Sequence, residues 1–182
     1  MQSQSVLMVV VLTLFIPKVY ANDLAVKLNT QIELLPSCTI NNNIVSNKDS
    51  GLNLGEINFG EVRASFNKVL ESSLLSNGGA GFKIKCSGIE SVKISFGSGL
   101  NDGNVPLEYS DNYYHALTNG IDYLAYNLLY GIDRKVVKTN KFYILNNISQ
   151  EQTVNIFGRV VNNGTPKSVG SYKDTIPVSI EF

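Results

Sequence analysis

Histidine is all but missing from this sequence and cysteine occurs only twice: His115, Cys38 and Cys86 are the whole supply. The two cysteines lack metal-ligand spacing, and one histidine supplies no obvious third ligand, so a zinc or other transition-metal centre is not expected. Also absent are a Gly-x-Ser-x-Gly elbow, a phosphate-binding glycine loop and a paired-histidine motif. Asp111, Asp122 and Asp133 are scattered among turns, where aspartates satisfy the backbone rather than forming a catalytic dyad. No enzyme and no cofactor is expected, and His115 reads as a loop or surface residue. Charge of one sign is lacking too, with 15 Lys plus Arg against 15 Asp plus Glu. That balance points to no nucleic acid and no anionic membrane as partner. It suits a subunit made to associate with others.

Long apolar runs are equally scarce. Residues 6–16 form one, broken only by Thr13, and it is too short for a permanent membrane span. Pro17 and Lys18 follow, then Val19-Tyr20-Ala21 with small residues at its first and last positions. Residues 1–21 therefore read as a secretory signal peptide with the mature chain starting near Asn22, although the first five residues carry no Lys or Arg. No later segment is expected to anchor the chain in a membrane. Export places Cys38 and Cys86 where thiols oxidise, so a disulfide is the default reading. Closing that loop stabilises the fold by about 4 kcal/mol on the chain-entropy account.

What the mature chain does hold is alternation. Phe82, Ile84 and Cys86 alternate with Lys83 and Lys85, and Val92, Ile94 and Phe96 with Ser91, Lys93 and Ser95. Val154, Ile156, Gly158 and Val160 share a face opposite Asn155 and Arg159. Residues 123–130 and 142–145 are further aromatic-rich runs. Turn clusters separate them, among them Ser98-Gly99, Asp102-Gly103, Asn119-Gly120 and Asn163-Gly164. Helical periodicity is nearly absent, with residues 64–75 left open to a helical turn. Short strands at this spacing predict one all-β sandwich or barrel.

The two ends of the mature chain share one pattern. Leu24, Val26, Leu28, Thr30, Ile32 and Leu34 occupy even positions, and Ala25, Lys27, Asn29, Gln31 and Glu33 the odd ones. At the other end Ile176, Val178, Ile180 and Phe182 alternate with Pro177, Ser179 and Glu181. Proline cannot donate to a ladder, so this last strand reads as an edge, or as one whose pairing fails at Pro177. An open edge this apolar is an aggregation hazard. Either the N-terminal strand folds back to complete its own sandwich, or a neighbour's copy fills the gap by strand addition. Five aliphatic anchors at about 1.5–3 kcal/mol each give on the order of 8–15 kcal/mol gross. The pattern alone leaves both readings standing.

Several stretches together resemble a family. They are Val26-Lys27-Leu28-Asn29 leading to Cys38-Thr39, Leu54-Gly55-Glu56-Ile57-Asn58-Phe59-Gly60, and Ile84-Lys85-Cys86-Ser87-Gly88. Ala125-Tyr126-Asn127-Leu128-Leu129-Tyr130, Ile156-Phe157-Gly158, Gly164-Thr165-Pro166-Lys167 and the run from Gly170-Ser171-Tyr172-Lys173-Asp174-Thr175 to Phe182 complete the set. In this order, behind a signal peptide, they resemble the subunits of archaic, Csu-type chaperone–usher pili, which carry a spore coat protein U-like domain. The resemblance implies an incomplete immunoglobulin-like β-sandwich over residues 36–182, completed by donor-strand exchange. Residues 22–35 match the donor strand, with Leu24, Val26, Leu28, Thr30, Ile32 and Leu34 as anchors. Ile176, Val178, Ile180 and Phe182 match the last strand, which faces the groove and the chaperone. Cys38 and Cys86 match the family's pair, which ties the first strand to its neighbour.

The partners so implied are a periplasmic chaperone, an outer-membrane usher and neighbouring pilin subunits, with export through the periplasm to an extracellular fimbrium. Pro177 departs from the mostly aliphatic pattern expected there and leaves the register beside it open. Six tyrosines crowd residues 109–130. They read as a sandwich face with an intersubunit contact, or as an adhesive or sugar-binding patch around Tyr113, Tyr114 and His115. A single-domain adhesive subunit and a secreted spore-coat-like protein are the alternatives to a pilus shaft subunit.

Overall fold

The computed structural model describes residues 25–47, 49–76 and 79–182. The expected signal peptide, residues 1–21, and the first anchor, Leu24, lie outside them. The chain divides into two units, Met1–Glu33 and Leu34–Phe182. In the first, residues 25–33 carry no regular secondary structure and their side chains are exposed.

The second unit is all-β apart from two short 3-10 turns, Asp102–Asn104 and Leu107–Tyr109. Its strands are β1 (Ser37–Ile40), β2 (Asn43–Val45), β3 (Glu56–Ile57), β4 (Asn67–Ser76), β5 (Gly79–Ala80), β6 (Phe82–Ser87) and β7 (Ser91–Phe96). The later ones are β8 (His115–Thr118), β9 (Tyr123–Tyr130), β10 (Lys135–Val136), β11 (Phe142–Asn146), β12 (Gln152–Val154), β13 (Ile156–Asn163) and β14 (Val178–Glu181). One sheet runs β12-β6-β1-β2 and another β11-β7-β14. The largest runs β10-β9-β13-β4-β3, with β5 added on β4 and β8 on β9.

Alternation builds the layers. Phe82, Ile84 and Cys86 on β6, with Cys38 and Ile40 on β1, turn inward to meet Val92, Ile94 and Phe96 from β7. The sheet of β9, β13 and β4 closes the same core with Leu124, Leu128, Val160 and Leu74. The all-β sandwich expected from the sequence is thus present. Cys38 and Cys86 stand directly opposite each other in the β1–β6 register and form the expected disulfide.

Residues 64–75, left open to a helical turn, instead supply most of β4. Leu70, Ser72 and Leu74 point toward the core and Val69, Glu71 and Leu75 are exposed, so serine stands in an inward place. Ser72 pairs with Gly158 on β13. A Cβ on Gly158 would lie 2.6 Å from the Phe59 ring and 2.9 Å from Ile57. The missing side chain is what lets the Ile57-Asn58-Phe59 stretch lie against β13, which joins two of the sequence motifs in one contact.

Candidate functional site

Among the described residues β14 pairs along one edge only. Its partner is β7, with Val178 opposite Phe96, Ser179 opposite Ser95, Ile180 opposite Ile94 and Glu181 opposite Lys93. Among the described residues no strand pairs with its other edge. Val178 and Ile180, with Ile176 and Phe182 to either side, are half-buried against the core. Ser179 and Glu181 face outward.

Main-chain direction alternates along an antiparallel strand just as side chains do. Gly97 N–H donates to the Pro177 carbonyl at 2.8 Å, so Pro177 presents its main chain to β7. Ser179 and Glu181 follow the same phase. Val178 and Ile180 therefore turn their N–H and C=O toward the open edge. The donor that Pro177 lacks is missing on the paired side, and the register left open by the sequence is settled: the ladder begins at Val178, with the Pro177 ring over Gly97, where a Cβ would lie 2.8 Å from Pro177 Cγ.

β14 is anchored before it begins. Lys173 and Thr118 exchange two main-chain hydrogen bonds at 2.9 and 3.0 Å. Asp174 then accepts from Leu100 N–H and Asn101 Nδ2, both at 3.0 Å, and from the Tyr126 hydroxyl at 2.7 Å. Tyr126 is buried on β9. Burial first, then the bond to Asp174, push its phenol well above the ordinary tyrosine value. At the far end of β14, the Asn47 side-chain amide donates to the main-chain oxygen of Phe182.

The expected anchors of the N-terminal segment are placed otherwise than a docked strand. Val26, Leu28, Ile32 and Leu34 are 79–87 % exposed, Thr30 is exposed too, and no ladder includes them. Alternation at these residues describes an apolar face that is exposed.

His115 corrects its expectation. It opens β8, is fully buried, and its Nδ1 lies 2.8 Å from Asp102 Oδ1. Its ring sits 5.2 Å from that of Tyr126. Asp102, in a glycine-flanked loop, supplies the polar partner that makes such burial tolerable. Tyr114 remains 39 % exposed, while Tyr113 is half-buried edge-on to Tyr109 with ring centroids 5.9 Å apart. The three residues do not share a surface, because His115 faces the interior.

One hollow is lined by Asn41, Asn43, Asn53 and Glu56 among others, and another by Glu90, Asn146, Asn147 and Ser149 with Ile89. Among the described residues no cluster of three or more His, Cys, Asp or Glu could hold a metal ion. No helix among them is long and apolar enough to cross a membrane.

No curated protein matches the chain. Among solved structures it is similar to the crystal structure of the CsuC–CsuE chaperone–tip adhesion subunit pre-assembly complex from archaic chaperone-usher Csu pili of Acinetobacter baumannii. Identity is 20 %, the TM-score is 0.45, and the match covers 81 % of this chain and 40 % of that one. The chain thus spans under half the length of the protein it matches. The family model described as Spore Coat Protein U domain matches residues 24–179, nearly all of the sandwich and the segment before it, and the chain belongs to that family.

Proposed function

We propose that this protein is a structural subunit of an archaic chaperone–usher pilus, polymerised by donor-strand exchange and serving surface attachment and biofilm formation. The observation that carries the reading is the pairing of two unmet needs in one chain. β14 offers an edge on which, among the described residues, no strand meets the main-chain groups of Val178 and Ile180. Residues 25–35 offer an alternating apolar face with no ladder. In this reading residues 22–35 of one subunit lie along β14 of the next, and the even-numbered anchors fill the place beside Val178, Ile180 and Phe182. A periplasmic chaperone lends a strand to the same edge beforehand, and an outer-membrane usher exchanges it for the neighbour's.

Chemistry plays no part in this role; the work is mechanical. The test is thermal unfolding of residues 36–182 alone and of the same residues followed by a flexible linker and residues 22–35. The appended strand should yield a monomer melting cooperatively and more than about 10 °C higher, since several kcal/mol of anchor burial remain after ordering is subtracted. Equal melting of the two proteins would mean the sandwich needs no added strand, and the reading would fall.

A further inference from the structure

The Asn47–Phe182 contact occupies a place that strand addition needs. We infer that Asn47 is a removable stopper on the open edge of β14, an inference that rests on the strand-exchange reading above.

The argument begins with the phase of the ladder. Phe182, the residue after β14, has the parity of Val178 and Ile180, and where the phase of the strand continues its main-chain oxygen faces the open edge. An N–H delivered to that oxygen from the open side is what an incoming strand would supply from its own backbone. The Asn47 amide supplies it instead. Its position is built: Ser46 N–H donates to Asp49 Oδ2 at 2.8 Å, and Asp49 N–H returns to the Ser46 carbonyl at 3.1 Å. This turn directly follows β2, the last strand of its own sheet, so Asn47 reaches from one sheet's edge to the end of another's.

A single exposed amide holds such a site weakly. It engages one main-chain oxygen and, among the described residues, leaves the edge at Val178 and Ile180 open, so it stands in the way of full-length pairing without sealing the edge. A strand bringing several main-chain bonds and apolar side chains displaces it, whereas a segment with little to offer does not. Open edges recruit wrong partners unless something blunts them, and here one side chain does so at the end of the slot.

The test uses the full chain and a fluorescent peptide of residues 22–35, with a scrambled peptide of equal composition as control. Asn47→Ala removes the amide. Asn47→Asp replaces it with a group that accepts but cannot donate. Both substitutions fall on an exposed turn, and far-ultraviolet circular dichroism and melting check that the fold persists. Peptide uptake should be faster in both variants by about two- to tenfold, the range of one modest hydrogen bond. The scrambled peptide, barely taken up by the native chain, should also gain. If the native chain takes up the peptide and neither variant differs from it, Asn47 is no stopper while strand exchange stands. If no variant takes up the peptide, strand exchange fails and the stopper with it.

Discussion

Residues 24–35 and 176–182 carry the same alternation and have different fates. In the first, the alternation runs over the eleven positions 24–34, yet residues 25–36 form no strand and their anchors stand in solvent. In the second, a shorter run with a proline inside it forms β14 and half-buries its even residues. The difference is a partner. β7 presents a row of main-chain groups to β14, and Asp174 fixes the approach, whereas residues 25–33 take part in no ladder. Period-2 patterning specifies which face a strand would bury; it does not supply the strand beside it.

One substitution placed in each region sharpens this contrast most. Ile180→Asp puts a carboxylate against the core and removes half-buried apolar surface, and should cost about 2–4 kcal/mol. Melting should fall by roughly 5–15 °C. Ile32→Asp touches an exposed side chain and should leave the melting of the isolated chain within about 0.5 kcal/mol of native. The same Ile32→Asp, particularly with Leu28→Asp, should abolish fibre formation. If Ile32→Asp destabilised the isolated chain as much as Ile180→Asp, the first segment would be docked in its own domain, and the two regions would not differ in kind.

Much of this was legible, and the failures share a cause. β6, β7 and β13 were readable because large apolar residues alternate with lysine, serine or arginine, and β11 because it is an aromatic-rich apolar run. The disulfide was readable from export and a cysteine count of two. β4 was obscured because Ser72 holds an inward place, made suitable by Gly158 on a strand far along the chain. His115 was misplaced because its partner Asp102 opens a short 3-10 turn thirteen residues earlier, and no spacing rule links the two. Asn47 was invisible for the same reason, since its contact is 135 residues away. Local period reveals faces; pairings made by polar side chains across the fold leave no local trace.

Tyr126→Phe tests the anchor that distinguishes β14 from the N-terminal segment. It removes the hydroxyl from Asp174, which keeps Leu100 and Asn101, and should cost about 1–2 kcal/mol at neutral pH. The phenol adds an alkaline signature. Folding raises its pKa above the unfolded value of 10.0, so its contribution is whole below that value and is lost as pH rises through the folded one. In Tyr126→Phe, stability should therefore fall less steeply above pH 10, by one proton in the slope. An unchanged slope would mean that the phenol is not held by burial and Asp174.

The smallest effect is expected at Pro177, and it decides which way the two edges of β14 face. Pro177→Ala restores an N–H directed at the Gly97 carbonyl, worth about 0.5–1.5 kcal/mol. It also frees the unfolded chain that proline restricts, which opposes the gain by about 0.4–1 kcal/mol. The ring contact over Gly97 is lost as well. The sum should lie within about 1 kcal/mol of zero by denaturant unfolding. Uptake of the residue 22–35 peptide should be unchanged, because the open edge belongs to Val178 and Ile180. Were Pro177 turned outward instead, the new N–H would stand in the path of the incoming strand, and Pro177→Ala would speed uptake while leaving the β7 ladder as it was.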